Sequence, residues 1–423
     1  MKLQGKDRRV QRFLDRHLSS PAFGWDDLTD PRARRGRRWA LSELMDAARA
    51  GMLAGSLSLR AVEALTDEMG AMGRQYVSRR VPDTTMWDLL PRLSVPELRE
   101  HNRRQVRAFW RAKSLEPEGL PCGVLSFDGK GLGALEHDAD GDAQKGHRKD
   151  GSPYWLSRML RTVLTSCAAK PCLDQIPIGP KTNEVATFAD FFDEQVAAFD
   201  ALFEIVTGDA GLTSKGNADR IHAKNKAYVL ALKDNQPELL AEARRLLLPR
   251  VGQAPDAETP WELASGKSVQ RRLYRTDEIA GYHGWEHLQQ VWLVEQLTRD
   301  KNGTITVEQR FFLTSLRRGR LSPAQILLVV RGHWGIEICF WTLDTQWKED
   351  AVPWCASGKA VEVVSWLRLM AHNLLSLART RHLRVRDDKG ERSDPPAWSR
   401  IFEWVRQALR LDLAPSSAFA QRG

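Results

Sequence analysis

Three acidic residues stand where their side chains could hold a divalent cation. Asp128 follows the apolar run Gly123-Val124-Leu125-Ser126-Phe127, and Asp209 follows Glu204-Ile205-Val206-Thr207-Gly208. Each run reads as a buried strand. Each acid is trailed by glycine, Gly129 and Gly131 in the first copy and Gly211 in the second. The first strand is expected to end on its carboxylate, with the glycines turning the backbone away. The third acid, Glu337, lies in the helix-like stretch Arg331-Gly332-His333-Trp334-Gly335-Ile336-Glu337. A strand-end Asp usually only caps a turn, so one copy carries little weight; its repetition makes the pair a candidate. Carboxylates are hard oxygen ligands that suit magnesium or manganese. Two such ions roughly 3.5–4 Å apart can activate a nucleophile and stabilise the leaving oxygen of a phosphodiester displacement.

The elements that would position these acids can be read in chain order. Residues 1–115 read as a helical, basic domain: apolar residues recur at helical spacing from Leu41 to Thr66, Thr84-Thr85 could cap a helix through Leu90, and Val95 to Trp110 follows Pro91 as another. Residues 116–122 have the composition of a linker. Residues 136–153 are polar, and Glu136, His137, Asp138, Asp140, Asp142 and His147 lack regular spacing, so the stretch reads as a loop. Leu160–Ala169 and Cys172–Ile178 form a hairpin pattern around Lys170-Pro171. Phe188 to Phe203 is amphipathic, and a helix from about Ser214 to Lys224 leads to the strand Ala227–Lys233. The order β-β-β-α-β-α-β is that of an RNase H-like core, in which the first and fourth strands are neighbours and bring Asp128 and Asp209 together.

Pro237 to Leu248 looks helical, and residues 241–322 then break the pattern as a β-rich insertion. Val269–Tyr274, His287–Leu297 and Thr304–Thr314 are strand-like, with Asp300-Lys301-Asn302-Gly303 as a hairpin turn. Residues 323–380 return to helix: Ser322-Pro323 is a helix start, another helix should run through Glu337, and Val361–Arg381 is long and apolar-periodic. The tail, 381–423, is uninformative. The fold class is therefore α/β: a core of residues 116–240 and 323–380, interrupted by the insertion and preceded by the N-terminal helical domain.

Composition narrows the partners. The chain has 423 residues, 42% hydrophobic, and a net charge of +9. Residues 1–110 hold 21 Lys+Arg against 14 Asp+Glu, nearly all of the cations being arginine. Arginine suits bidentate phosphate contacts, so this segment is expected to supply salt-dependent affinity for an acidic partner, nucleic acid above all. The five cysteines form no CxxC pair and are expected as buried free thiols. No apolar run approaches the length of a membrane span, the N-terminus lacks the apolar segment of a signal peptide, and a cytoplasmic protein without a membrane partner is expected.

Several motifs together resemble the DDE transposases of bacterial insertion sequences, most closely the H-repeat-associated type. They are Asp128-Gly129-Lys130, Lys181-Thr182-Asn183-Glu184, Gly208-Asp209-Ala210, and Tyr228-Val229-Leu230-Ala231-Leu232-Lys233-Asp234-Asn235-Gln236. The last is His333-Trp334-Gly335-Ile336-Glu337 with Trp341, Leu343-Asp344 and Glu349-Asp350. The resemblance implies catalysis and metal binding by Asp128, Asp209 and Glu337 with two Mg²⁺ or Mn²⁺ ions. It implies binding, cutting and joining of DNA at the ends of an inserted element, by a homodimer. Candidate DNA contacts are Lys130, Lys233, Gln236, Arg331, His333 and Trp334. Trp334 and Trp341 read as core before base-stacking wedges, Asp344 as the partner of a nearby cation, and Glu349-Asp350 as closing the helix. Gly131 and Gly133 stand where the type has Thr and Arg. The alternatives are a non-catalytic DNA-binding relative and a metal-dependent nuclease with the same core.

Overall fold

The computed structural model describes residues 5–412, apart from 19, 136–142, 265, 352–353, 356–357 and 385–392. Helices α1 (Gly5–Leu18), α2 (Leu41–Leu53), α3 (Leu59–Asp67), α4 (Asp83–Leu89) and α5 (Val95–Arg111) precede the sheet. Ser58 and Ser94 cap α3 and α5, accepting from the amides of Ala61 and Glu97. The Thr84-Thr85 pair lies inside α4, which starts at Asp83 behind Pro82. This region is built onto the rest of the chain. Arg99 and Arg103 of α5 reach the fully buried Asp174 at 2.7 Å each, and Asn102 donates to the Leu173 carbonyl. Part of the N-terminal arginine excess is therefore held in internal ion pairs.

Next come β1 (Val124–Leu135), β2 (Gln144–His147), β3 (Pro153–Leu164), β4 (Cys172–Pro177), α6 (Glu184–Phe199), β5 (Ile205–Gly208), α7 (Lys215–Ala223), β6 (Ala227–Leu232) and α8 (Pro237–Leu247). The strands β7 (Ala257–Glu258), β8 (Glu262–Ala264), β9 (Lys267–Thr276), β10 (Gln290–Arg299) and β11 (Ile305–Thr314) follow. After them come α9 (Pro323–His333), α10 (Gly335–Trp347), α11 (Gly358–Leu377) and α12 (Trp398–Leu409). All the strands join one mixed sheet in the order β2-β3-β1-β5-β6-β11-β10-β9-β7, with β4 on β3 and β8 on β9. The insertion is thus continuous with the core: β11 pairs antiparallel with β6, Phe311 opposite Leu232.

β1 is the strand on which the site depends. It runs parallel to β5, with Phe127 opposite Gly208, and antiparallel to β3, with Asp128 opposite Arg161. Phe127 packs against Phe188, Phe191 and Phe192 of α6 on one face. Successive side chains alternate across a strand, and Val124 on the other face belongs to a cluster with Ile326, Leu327 and Val330 of α9. Two expectations change here. β1 does not end at Asp128: Gly129, Lys130 and Gly131 stay extended and pair with β3, and the irregularity falls between Gly131 and Ala134. Part of the supposed loop, Gln144–His147, is β2; Glu136, His137, Asp138, Asp140 and Asp142 lie outside the described residues.

All five cysteines are buried and free. The stretch Pro323–Trp347 is long and apolar enough to cross a membrane, contrary to expectation. It is two helices meeting at Trp334, and 56% of its most apolar window is buried inside the fold.

Candidate active site

The three acids arrive from three elements. Asp128 is carried by β1, and its Oδ1 accepts from the Gly129 amide at 2.8 Å. Asp209 is the residue after β5; its Oδ1 caps the short turn that follows by accepting from the Leu212 amide at 3.2 Å. Glu337 occupies the first turn of α10 and is exposed. Asp128, Asp209 and Glu337 line one cavity of about 590 Å³. Lys233, Asp234, Arg244, Glu308, Arg310, His333 and Trp334 line it with them.

A buried polar ladder holds the break between α9 and α10 above the strand ends. Ser126 Oγ bonds both Thr165 Oγ1 at 2.8 Å and Thr207 Oγ1 at 2.7 Å, and Thr207 Oγ1 bonds His333 Nδ1 at 2.9 Å. Burial drives the His333 pKa down to about 4 against the opposing pull of Asp209. Its imidazole is neutral at ordinary pH and serves as a hydrogen-bonding prop at the junction of α9 and α10, so a cationic phosphate contact from His333 is not what this geometry offers.

Asp128 is pushed the other way. Burial, then the charge of Asp209, raise its pKa to about 7, and Glu184 and Glu337 add to the effect. Glu184, the last residue of Lys181-Thr182-Asn183-Glu184, was not among the site candidates. Asn183 caps α6 by accepting from the Ala186 amide, which starts the helix at Glu184. Arg158 holds the Glu184 carboxylate at 2.7 Å. A Cβ at position 129 would lie 2.0 Å from Glu184 Oε1, so any side chain there would displace the Glu184 carboxylate from its present position. The motif was visible in the sequence, but nothing in its spacing pointed at Asp128.

The remaining candidates divide sharply. Lys130 is paired with Asp344 and its side chain is 10% exposed. Glu349 is fully buried, in a two-pronged ion pair with Arg161 at 2.8 Å on each prong. Its side chain therefore ties the end of α10 to β3, while its amide closes the helix as expected by donating to the Leu343 carbonyl at 3.3 Å behind the left-handed Lys348. Gln236 donates to the Thr213 carbonyl at 3.1 Å, and Arg331 pairs with Glu262 at 2.9 Å. Lys233 is exposed. Trp334 is half-buried under the Arg310 guanidinium, 4.3 Å from its ring. Trp341, expected in the core, is 61% exposed. Its helix carries Cys339, Phe340 and Leu343 inward, which leaves position 341 on the outer face.

The donor set suits hard divalent cations, and the like-charge crowding at Asp128 is what a bound cation would relieve. Among the described residues no group of three or more ligating side chains is already drawn together around one point.

A mixed sheet that delivers one aspartate from within a strand, a second from just past the end of its parallel neighbour and one helical glutamate to a single open cavity is a layout that suits a DDE domain. The chain matches the transposase DDE domain family over residues 123–374, more than half of its length, and belongs to that family. It is similar to the "Putative transposase YncI" of Escherichia coli O157:H7, 26% identical over 263 residues, covering 60% of this chain and 61% of that protein. It is also similar to the "Uncharacterized protein in dhlA 3'region" of Xanthobacter autotrophicus, 29% identical over 154 residues, covering 36% of this chain and 50% of that one. The chain thus spans about half to three fifths of these relatives. Among solved structures it is similar to a piggyBac transposase in a synaptic complex with hairpin DNA. That likeness has 11% identity and a TM-score of 0.43 over 96% of this chain and 78% of that one, too loose to carry an argument.

Proposed function

We propose that this chain is a DNA transposase of the H-repeat-associated type, built on an RNase H-like core, that binds the ends of its element, cleaves them and joins them to target DNA. The observation that carries the reading is that Asp128, Asp209 and Glu337, from β1, the end of β5 and α10, line one cavity, with Lys233, Asp234, Arg244, Glu308 and Arg310 also in its lining. Asp128, Asp209 and Glu337 would hold Mg²⁺ or Mn²⁺. When bound, the metal supplies Lewis-acid stabilisation of the charge that develops on the phosphodiester oxygens. The chain's own residues do the rest: the Ser126–Thr207–His333 ladder holds the start of α10, and with it Glu337, against β1 and β5.

A non-catalytic DNA-binding relative is the second reading, favoured by Gly131 and Gly133. The Gly133 amide donates to the Glu349 carbonyl at 3.1 Å, and a Cβ there would lie 3.2 Å from that oxygen. A side chain where the type carries Arg would thus press against this backbone and need it to give by a few tenths of an ångström. The deciding experiment takes the DNA flanking the coding region, with its terminal inverted repeats, as substrate. Mg²⁺-dependent nicking at the repeat ends is expected. Binding without nicking would leave the second reading standing.

A further inference from the structure

The two arginines that line the cavity, Arg244 and Arg310, come from outside the family motifs and have no role so far; Lys233, Asp234 and Glu308 line it with them. Arg310 lies on β11, one step beyond the pair Phe311–Leu232 in the antiparallel register with β6. Lys233 lies one step beyond Leu232, so the two cations stand side by side across the joint between insertion and core. Like charges placed directly opposite on neighbouring strands repel. Arg310 has a carboxylate partner in the half-exposed Glu308, at 2.7 Å. Among the described residues neither Lys233 nor Arg244, which is exposed on α8, has a carboxylate within ion-pair distance. Arg310 is also held over the Trp334 ring at 4.3 Å, which fixes a group that would otherwise be free to swing. Behind it Arg271 and Arg331 share the single Glu262, at 3.8 Å and 2.9 Å. The charge of both Arg310 and Arg331 is felt at Arg271.

We propose that Arg310 and Arg244, with Lys233 between core and insertion, form a phosphate-binding wall that grips the DNA backbone beside the scissile phosphodiester. The ligand chemistry is a phosphodiester anion, for which fixed guanidiniums are suited to paired hydrogen bonds. The inference rests on the proposed DNA-transposase reading and adds the surface that seats the strand. The insertion has a physical reason to share the core sheet: the β6–β11 register holds Arg310 in the lining of the cavity that the acids share, which a flexibly tethered domain would not do.

The test titrates the full chain, without divalent metal, against a fluorescein-labelled DNA duplex of arbitrary sequence at several salt concentrations. Each lost phosphate contact should lower the slope of log K against log salt by about 0.9. Arg310→Gln with Arg244→Gln should therefore lower it by about 2 and weaken binding at low salt about tenfold or more, with unchanged thermal melting. Arg310→Lys in the Arg244 wild-type background should keep most of the slope. If the double variant binds with wild-type affinity and slope while Arg34→Gln with Arg35→Gln loses both, the wall is refuted and the transposase reading stands. If the wild-type chain shows no salt-dependent binding to duplex, the functional reading itself fails. Arg244→Gln alone, an exposed change, decides the matter should the double variant melt early: a slope equal to wild type there overturns the proposal.

Discussion

The two ends of α10 use the same chemical group in opposite ways. At its N-terminal end Glu337 is exposed and faces a cavity shared with Asp128 and Asp209. Toward and just past its C-terminal end, Asp344 is paired with Lys130, and Glu349 is locked to Arg161 with neither side chain more than 1% exposed. Burial alone would raise Glu349, but the charge and hydrogen bonds of Arg161 outweigh it and hold the acid below its usual range. At Asp344 burial wins over Lys130 and the pKa rises. The lesson is that a carboxylate with a cation of its own is structural here, whereas the acids that share the cavity raise one another's cost of ionisation, as at Asp128.

That contrast can be broken most decisively at Glu337 and Glu349. Glu337→Gln should lower metal-dependent cleavage of the element's ends by about 10³-fold or more while leaving the melting temperature near wild type. Glu349→Ala should do the reverse in kind: Arg161 is left buried and unpaired, and denaturant unfolding should show a loss of about 3–5 kcal/mol. If Glu337→Gln unfolds the protein, or Glu349→Ala leaves its stability intact, the two ends have been assigned the wrong way round.

Asp128 sharpens the same comparison through pH. Its folded-state pKa of about 7 lies above its ordinary value of 3.8. An acid shifted upward binds more protons folded than unfolded between those two pH values, so its contribution to stability falls as pH rises through that window and stays low above it. Asp128→Asn should therefore stabilise the metal-free protein above pH 7 by on the order of 2 kcal/mol. The gain should vanish below pH 4, and adding Mg²⁺ should raise the melting temperature of wild type but not of the variant. An equal gain at both pH extremes would show that the crowding at Asp128 is not electrostatic.

How much of this was legible in the sequence follows from the same physics. Most of the element order, the β-rich stretch before α9, the Ser322 cap and the placing of three acids on one cavity could be read because periodicity, turn chemistry and repeated apolar-Asp patterns are local signals. Ser322 indeed forms a reciprocal capping box with Gln325. The extension of β1 past Asp128 could not be read, because glycines in a strand look like a turn until a pairing partner is known. Glu184 and Arg310 were missed for a related reason. Each reaches the site through register and packing across the sheet, and no spacing along the chain encodes that. The partnership of Asp344 with a cation was expected, but its identity, Lys130, spans the molecule. That pair allows a gentler test: Asp344→Asn should keep cleavage and lower stability by about 1 kcal/mol, since it leaves a mostly buried lysine without its charge partner. A dead enzyme with normal stability would move the third acid two turns along the helix.

The smallest effect is expected at Trp341, and it separates the outer from the inner face of α10. Trp341 is 61% exposed, next to Ile338 at 56%. Trp347, on the same helix, is 1% exposed; its Nε1 donates to the Met52 carbonyl at 2.9 Å, and its ring meets Trp398 and Phe402 edge-on. Area removed from water sets the energy of an indole, so two tryptophans six positions apart should differ greatly. Trp347→Ala should destabilise by about 3–5 kcal/mol, because it opens a cavity where α10, α12 and α2 meet and removes the indole's hydrogen bond to the Met52 carbonyl. Trp341→Ala should change stability by less than about 0.5 kcal/mol, measured by denaturant unfolding. A loss at Trp341 comparable to that at Trp347 would mean that the outer face of α10 is covered in solution by something other than water.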